Sequence, residues 1–72
     1  MSDTTLTAHE IALAHRRGIF TVTTETARGY RVVLFRTKAG MRPVRLAQSR
    51  ECVRPHTARR YGEALVREAL RR

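Results

Sequence analysis

Residues 30–47, which read YRVVLFRTKAGMRPVRLA, decide the fold of this chain. The apolar run 32–35 and the apolar pair Val44 and Leu46 lie on either side of a short connection that ends at Gly40. β-Branched and aromatic residues bounded by a glycine-containing loop are typical of a β-hairpin, because glycine supplies the positive φ that such loops need. The hairpin carries cations and no acid; they are Arg31, Arg36, Lys38, Arg42 and Arg45.

Local signals place the other elements around this hairpin. Thr7 and Glu10 have the spacing of a capping box, and Gly18 is suited to end the helix that they begin. Pro43 lacks an N–H for the ladder and marks the third strand as an edge. The predicted elements are a helix over 8–17, strands over 19–24, 30–37 and 41–48, and a helix over 57–70.

The sequence therefore predicts a small single α+β domain over 7–72, following a flexible N-terminus over 1–6. Its order is α-β-β-β-α, with a three-stranded antiparallel meander and the C-terminal helix packed on one face. A five-residue connection, 25–29, is expected between the first two strands. On the last helix, Glu63 and Arg67 are four residues apart and are expected to pair.

Alternation along the strands assigns their faces. Phe20 and Val22 make an apolar face on the first strand, and the C-terminal helix is expected to cover that face. The opposite face has two interpretations. In the first, the first helix covers this face and Phe35 is an ordinary core residue. In the second, the face is a binding surface that carries Arg31 with Phe35. A cationic sheet with an aromatic side chain can stack a base or lie in a groove.

Charge is concentrated in the middle of the chain. The formal net charge is +9, and residues 28–60 hold ten cations against one acid, which alone gives +9. Residues 1–27 sum to −1 and residues 61–72 to +1. GC-rich coding would explain arginine in place of lysine but not this imbalance between cations and acids. A polyanion, above all nucleic acid, is the expected partner.

The predicted first turn of the last helix carries cations where acids would be more stable. Arg59 and Arg60 lie there, with Arg54 and His56 just before them. Free backbone N–H groups and these side chains would together bind phosphate, the alternative being solvated arginines that point away. The candidate nucleic-acid-binding residues are therefore Arg31, Arg36, Lys38, Arg42, Arg45, Arg54, His56, Arg59 and Arg60.

The order of elements resembles that of the double-stranded-RNA-binding domain, in which a basic start of the second helix contacts phosphates across a major groove. Arg54, His56, Arg59 and Arg60 occupy the matching region, whereas that family's Gly-Pro-X-His loop between the first two strands is absent here. A three-stranded sheet followed by a helix is also similar to the arm-binding domains of phage integrases, which lay the sheet in the DNA major groove. Both resemblances imply nucleic-acid binding.

No pattern in the sequence is typical of a catalytic site. Paired carboxylates at a useful spacing, a glycine-rich phosphate loop and a Cys or His cluster with metal spacing are all absent. The stretch VRPH at 53–56 resembles the Val-Pro-X-His stretch of small RNA-cleaving toxins, but the first strand lacks the histidine that those enzymes use. We expect a binding protein that is not an enzyme and needs no cofactor or metal.

The single cysteine, Cys52, is expected to be a small buried hydrophobe, and a reduced cytoplasmic setting is predicted. No apolar run approaches the length of a membrane span, so no membrane contact is predicted. The favoured function is a module that binds DNA or RNA mainly through the phosphate backbone, using the hairpin 30–47 and the start of the last helix. The alternative is an inhibitor or adaptor that docks an acidic protein partner.

Overall fold

The computed structural model of the chain describes residues 5–72. Its elements are α1 (Ala8–Arg16), β1 (Ile19–Thr26), β2 (Gly29–Arg36), β3 (Val44–Gln48) and α2 (Pro55–Leu70). The strands form one antiparallel sheet in the order β1-β2-β3. The predicted α-β-β-β-α meander with the C-terminal helix on one face is confirmed.

The N-terminal segment predicted over 1–6 lies only partly within the described residues, since residues 1–4 are outside them. Leu6 packs against the core, and its backbone N–H donates to the Glu63 carboxylate at 2.9 Å. The Thr5 carbonyl accepts a hydrogen bond from α2 at 3.0 Å. Contacts with the domain are therefore already made just before α1 begins.

An ion pair joins the two helices. Arg67 of α2 donates to the Glu10 carboxylate of α1 through Nε at 2.9 Å and through Nη2 at 3.2 Å. Glu10 also accepts from the Thr7 backbone N–H, and its own N–H donates to the Thr7 hydroxyl, so the predicted capping box is confirmed. The expected pairing of Glu63 with Arg67 is wrong, because Arg67 reaches across to α1 and Glu63 binds Leu6.

A two-residue turn sets the register of β1 against β2. Residues 27–28 alone connect the strands, so the predicted connection over 25–29 is wrong. The short turn pairs Phe20 with Phe35. A five-residue connection would have paired Phe20 with Leu34. That difference of one residue in register decides whether Phe20 shares a face with Phe35 or with Leu34.

β3 is shorter than predicted and is bulged. It begins at Val44 and not at Met41, because Pro43 cannot donate to the ladder. The register shifts near its start, where Leu46 is the extra residue and lacks a partner on β2. Bulges are common at sheet edges, where they bend the strand away from flat pairing.

Both helices pack on the same face of the sheet. Ala58, Gly62 and Val66 recur at intervals of four and are the buried residues of α2. They lie over Val32 and Leu34, the buried residues of β2. Ala58 and Gly62 have little or no side chain, which lets the helix approach the sheet closely at this contact.

The core therefore occupies one side of the sheet only. Its buried apolar members among the described residues are Ala14, Ile19, Val32, Leu34, Cys52, Ala58 and Val66. Cys52 is free and buried, as predicted, and its backbone pairs with Tyr30 in an isolated bridge. That bridge brings the chain back to the start of β2, where α2 begins.

We expect the pair between Glu10 and Arg67 to make stability depend on acid pH. The hydrogen bonds from the Arg67 guanidinium and the Thr7 backbone N–H lower the pKa of Glu10 from 4.5 to about 2. A carboxylate with a depressed folded pKa contributes stability that is complete above about pH 5 and is lost as the pH falls from its unfolded pKa towards its folded one. Thermal unfolding at neutral pH should therefore show Glu10→Gln to be less stable than the wild type.

That difference should shrink as the pH falls towards the folded pKa of Glu10. Glu68→Gln is the control, because it removes only an exposed pair with Arg72. A Glu10→Gln deficit that is the same at acid and neutral pH would contradict the role given to this ion pair.

Candidate nucleic-acid interface

One face of the sheet, which we call the open face, is covered by neither helix. By register its outward residues are Phe20, Val22 and Thr24 of β1, Arg31, Val33 and Phe35 of β2, and Arg45 and Gln48 of β3. The expectation that the C-terminal helix covers Phe20 and Val22 is wrong, because α2 packs on the other side of β1, against Thr21. α1 packs on that same side, where its Ala14 joins the core cluster that contains Ile19 of β1. It therefore does not cover the open face either.

An aromatic pair lies on the open face, near the end of the sheet where β1 begins and β2 ends. The rings of Phe20 and Phe35 stack with their centroids 5.4 Å apart and 19° between their planes. Phe20 is 37% exposed and Val22 44% exposed, while Val33 and Phe35 are half-buried. A contiguous apolar patch of this kind on a small domain usually marks a contact surface.

Two arginines share the open face with the aromatic pair. Arg45 is directly opposite Phe35, and within residues 5–72 it has no carboxylate partner. Arg31 lies further along β2, with a guanidinium nitrogen 3.8 Å from Glu51. The Arg31 Nε is buried and finds no hydrogen-bond acceptor among the described residues. The open face thus carries apolar and aromatic side chains together with two cations.

The connection between β2 and β3, residues 37–43, extends beyond one end of the sheet, which we call the hairpin end. Lys38 and Arg42 are exposed on it. Arg36 is the last residue of β2 and pairs with Ile19, so its side chain lies on the helix side. In the part of the chain that the structure describes, none of these three cations forms an ion pair.

Two further arginines reach the hairpin end, and sequence reasoning did not assign them to a site. Arg17 donates to the Leu70 carbonyl at 3.1 Å, and Arg72 lies 3.1 Å from Glu68. With Arg36 they line a partly open cavity of about 460 Å³ between α2 and β3. They converge because α1 and α2 both end here, and no local sequence pattern encodes that meeting.

The cations near the start of α2 lie at the opposite end of the sheet. The bridge from Cys52 to Tyr30 brings the chain to the beginning of β2 just before the helix starts. At about 3.3 Å per residue, the length of β2 separates this end from Arg36 by roughly 20 Å. Arg54 is the N-cap residue of α2, and its side chain makes no capping hydrogen bond.

Arg59 and Arg60 do not lie in the first turn of α2, so that prediction is wrong. The helix begins at Pro55, two residues earlier than expected, which places them beyond the turn where the helix dipole acts most strongly. Arg59 lies 4.0 Å from Glu63, four residues on. Arg60 and His56 have no carboxylate partner within residues 5–72.

The structure divides the predicted residues among three places. Arg31 and Arg45 lie on the open face, Arg36, Lys38 and Arg42 at the hairpin end, and Arg54, His56, Arg59 and Arg60 near the start of α2. The first two places adjoin along β3, whereas the third is distant from the hairpin end.

Sequence reasoning also missed Phe20 and Gln48 as surface residues. Residues 25–29 read ETARG and lack the Asn-Gly or Asp-Gly pair typical of a two-residue turn, so no local signal placed Phe20 beside Phe35.

Comparison of the chain with protein-family models, characterised proteins and solved structures finds no significant match. Across residues 5–72, no helix is both long and apolar enough to span a bilayer. The same residues contain no group of three or more His, Cys, Asp and Glu side chains that could hold a metal ion. A functional assignment for this chain therefore rests on its own surfaces.

Gly18 joins α1 to the hairpin end and should tolerate no side chain. Its φ is +70°, its carbonyl accepts from the Thr37 N–H at 2.9 Å, and a Cβ there would collide with the Thr37 carbonyl oxygen. Gly40 has a similar φ of +77° but open space around it. Alanine costs roughly 1–2 kcal/mol at either position for the left-handed backbone alone.

Gly18→Ala should therefore destabilise the domain by about 1–3 kcal/mol more than Gly40→Ala does, because it adds a steric clash. Urea unfolding of the two variants measures the difference directly. Equal losses at the two glycines would show that the contact with Thr37 does not constrain this end of the domain.

Proposed function

We propose that this protein binds nucleic acid through the open face and the hairpin end, contacting mainly the phosphate backbone. The observation that carries the proposal is a set of hairpin cations that no acid neutralises within residues 5–72; they are Arg36, Lys38, Arg42 and Arg45. Unpaired charges of one sign repel each other and weaken a compact fold. A bound polyanion would remove that repulsion.

Nucleic acid offers both kinds of group that this surface can bind. Its phosphates accept bidentate hydrogen bonds from arginine, and its bases stack on aromatic rings. Arg45 and Phe35 are neighbours across β3 and β2, so a cation and an aromatic side chain are available together. An acidic protein surface would satisfy the arginine but would supply no base to stack on the ring.

The cations near the start of α2 form a second phosphate-contacting surface in this proposal; they are Arg54, His56, Arg59 and Arg60. Because roughly 20 Å of β2 separates this surface from the hairpin end, only a ligand that extends along the domain can reach both. Phosphate contacts of this kind position a ligand without reading its sequence. We therefore propose weak sequence preference.

Docking of an acidic protein partner is the second candidate, and the exposed Phe20 and Val22 favour it because apolar side chains are common at protein interfaces. The ultraviolet spectrum of the purified chain separates the two candidates. The chain has two Tyr and no Trp, so even a little bound nucleic acid would dominate its absorbance. Capture of a single acidic protein, with no nucleic acid bound, would support the second candidate.

We expect the hairpin end to account for most of the salt-dependent affinity. Changing Lys38 and Arg42 together to Glu should weaken binding about 100-fold at roughly 0.1 M salt. The slope of log affinity against log salt should flatten by about 1.5, because each lost phosphate contact removes about 0.7–0.9 from it. Fluorescence anisotropy over a salt series gives both values.

In the matched control, Arg28 and Arg50 are both changed to Glu. These arginines are exposed and lie outside the hairpin, and the double change alters the net charge by the same amount. A variant with Arg54 and Arg60 changed to Glu tests the start of α2 in the same way. If the control loses as much affinity as the hairpin variant, then total charge, and no particular surface, attracts the ligand. Absence of any binding by the wild type at low salt would contradict the proposed function itself.

A further inference from the structure

We propose that the open face binds single-stranded nucleic acid, with unpaired bases stacked against Phe20 and Phe35 and phosphates held by Arg45 and Arg31. This inference rests on the proposed function and narrows its ligand to strands with unpaired bases. It follows from the aromatic side chains and the cations that share this face, and from the poor fit of a duplex or of a second copy of the chain.

A row of side chains crosses the three strands. Phe20 on β1, Phe35 on β2 and Arg45 on β3 are successive partners in the register. Neighbouring strands are about 4.8 Å apart, so the row spans roughly 10 Å. The row offers aromatic surface at one end and a guanidinium at the other. A base and its attached phosphate need this combination.

Arg31 supplies a second cation on the same face. Its side chain is 40% exposed, and its Nε is buried with no acceptor among the described residues. The contact with Glu51, at 3.8 Å, keeps the guanidinium near the sheet surface without a close hydrogen bond. A phosphate oxygen could bind the exposed part of the guanidinium at a closer distance than the 3.8 Å of the contact with Glu51.

A duplex does not suit the apolar and aromatic side chains of this face. Its bases are stacked inside the helix and present only polar edges and phosphates to a protein. Pressing Phe20, Val22 and Val33 against those edges would strip water from hydrogen-bonding groups without replacing it. Unpaired bases instead present their π-faces, which aromatic side chains can cover.

A second copy of the chain suits the face poorly for an electrostatic reason. A symmetric contact between two open faces would bring Arg31 and Arg45 of both copies close together. The outward strand residues include no acid to offset them. The nearby Glu51 is already engaged by Arg31 and by the Thr26 hydroxyl, the latter at 2.6 Å. The face therefore complements a polyanion better than it complements itself.

Tryptophan provides a direct reporter of stacking, since the chain contains none. Phe20→Trp places an indole on the open face, and Ile11→Trp places one on α1, where Ile11 is 56% exposed. Each variant is titrated with oligothymidylate and oligouridylate of about 15 nucleotides, near the upper site size of small single-strand-binding folds. The same titrations are made with a hairpin duplex of equal nucleotide number.

Single strands should quench the fluorescence of Phe20→Trp and leave that of Ile11→Trp nearly unchanged. They should also bind at least about tenfold more tightly than the duplex at the same salt concentration. Phe20→Leu keeps an apolar side chain but removes the ring. It should weaken binding of single strands about tenfold and leave duplex binding nearly unchanged. The thermal midpoint should fall by only a few degrees, because one ring pair is lost.

Three outcomes would overturn the proposal, and they separate it from the proposed function. Equal affinity for strands and duplex, without quenching of Phe20→Trp, would leave phosphate binding in place and exclude stacking on this face. Binding of neither ligand at low salt would contradict both proposals. Dimer formation without nucleic acid, with a blue shift of the Phe20→Trp emission as protein concentration rises, would show that a second copy covers the face.

Discussion

The close packing of α2 on β2 is the contact on which the rest of the structure depends. Gly62 has no side chain, and a Cβ added there would lie 3.3 Å from Cγ1 of Val32. Val32 is consequently only 1% exposed. Because α1 packs on this same side, the domain has two layers and the other face of β2 lies outside the core. Alternation along β2 thus sends Val32 and Leu34 to the core and Phe35 to the surface.

The small core sets a limit on how much charge repulsion the domain can carry. A chain of this length buries only about 60% of its unfolded surface, so the margin of stability is small. Ion pairs that tie elements together reduce the repulsion locally, as Arg67 does with Glu10 between the helices. Four cations of the hairpin have no such pairs within residues 5–72; they are Arg36, Lys38, Arg42 and Arg45. Under the proposed function, an anionic partner would offset this repulsion and would stabilise the folded state by mass action.

Local features of the sequence were sufficient to predict the elements and their order. The capping box of Thr7 and Glu10 depends on residues three apart, and the positive φ of Gly18 and Gly40 is a property of single residues. The burial of Cys52 follows from its residue type. The concentration of cations in the hairpin is likewise visible in the sequence, so the candidate residues could be named before their positions were known. In each case the physical cause acts within a few residues along the chain.

Tertiary structure alone decided which surfaces those residues share. Which residues of β2 share a face with Phe20 depends on whether the connection after β1 has two residues or five. β2 has apolar residues on both faces, so its pattern favoured neither pairing. The meeting of Arg17 with Arg36 depends on where α1 ends relative to β2, which only long-range packing determines. Periodicity specifies that a strand has two faces and a helix one apolar stripe. The choice between faces is made by the partner that packs against them, as Gly62 shows by bringing α2 onto Val32.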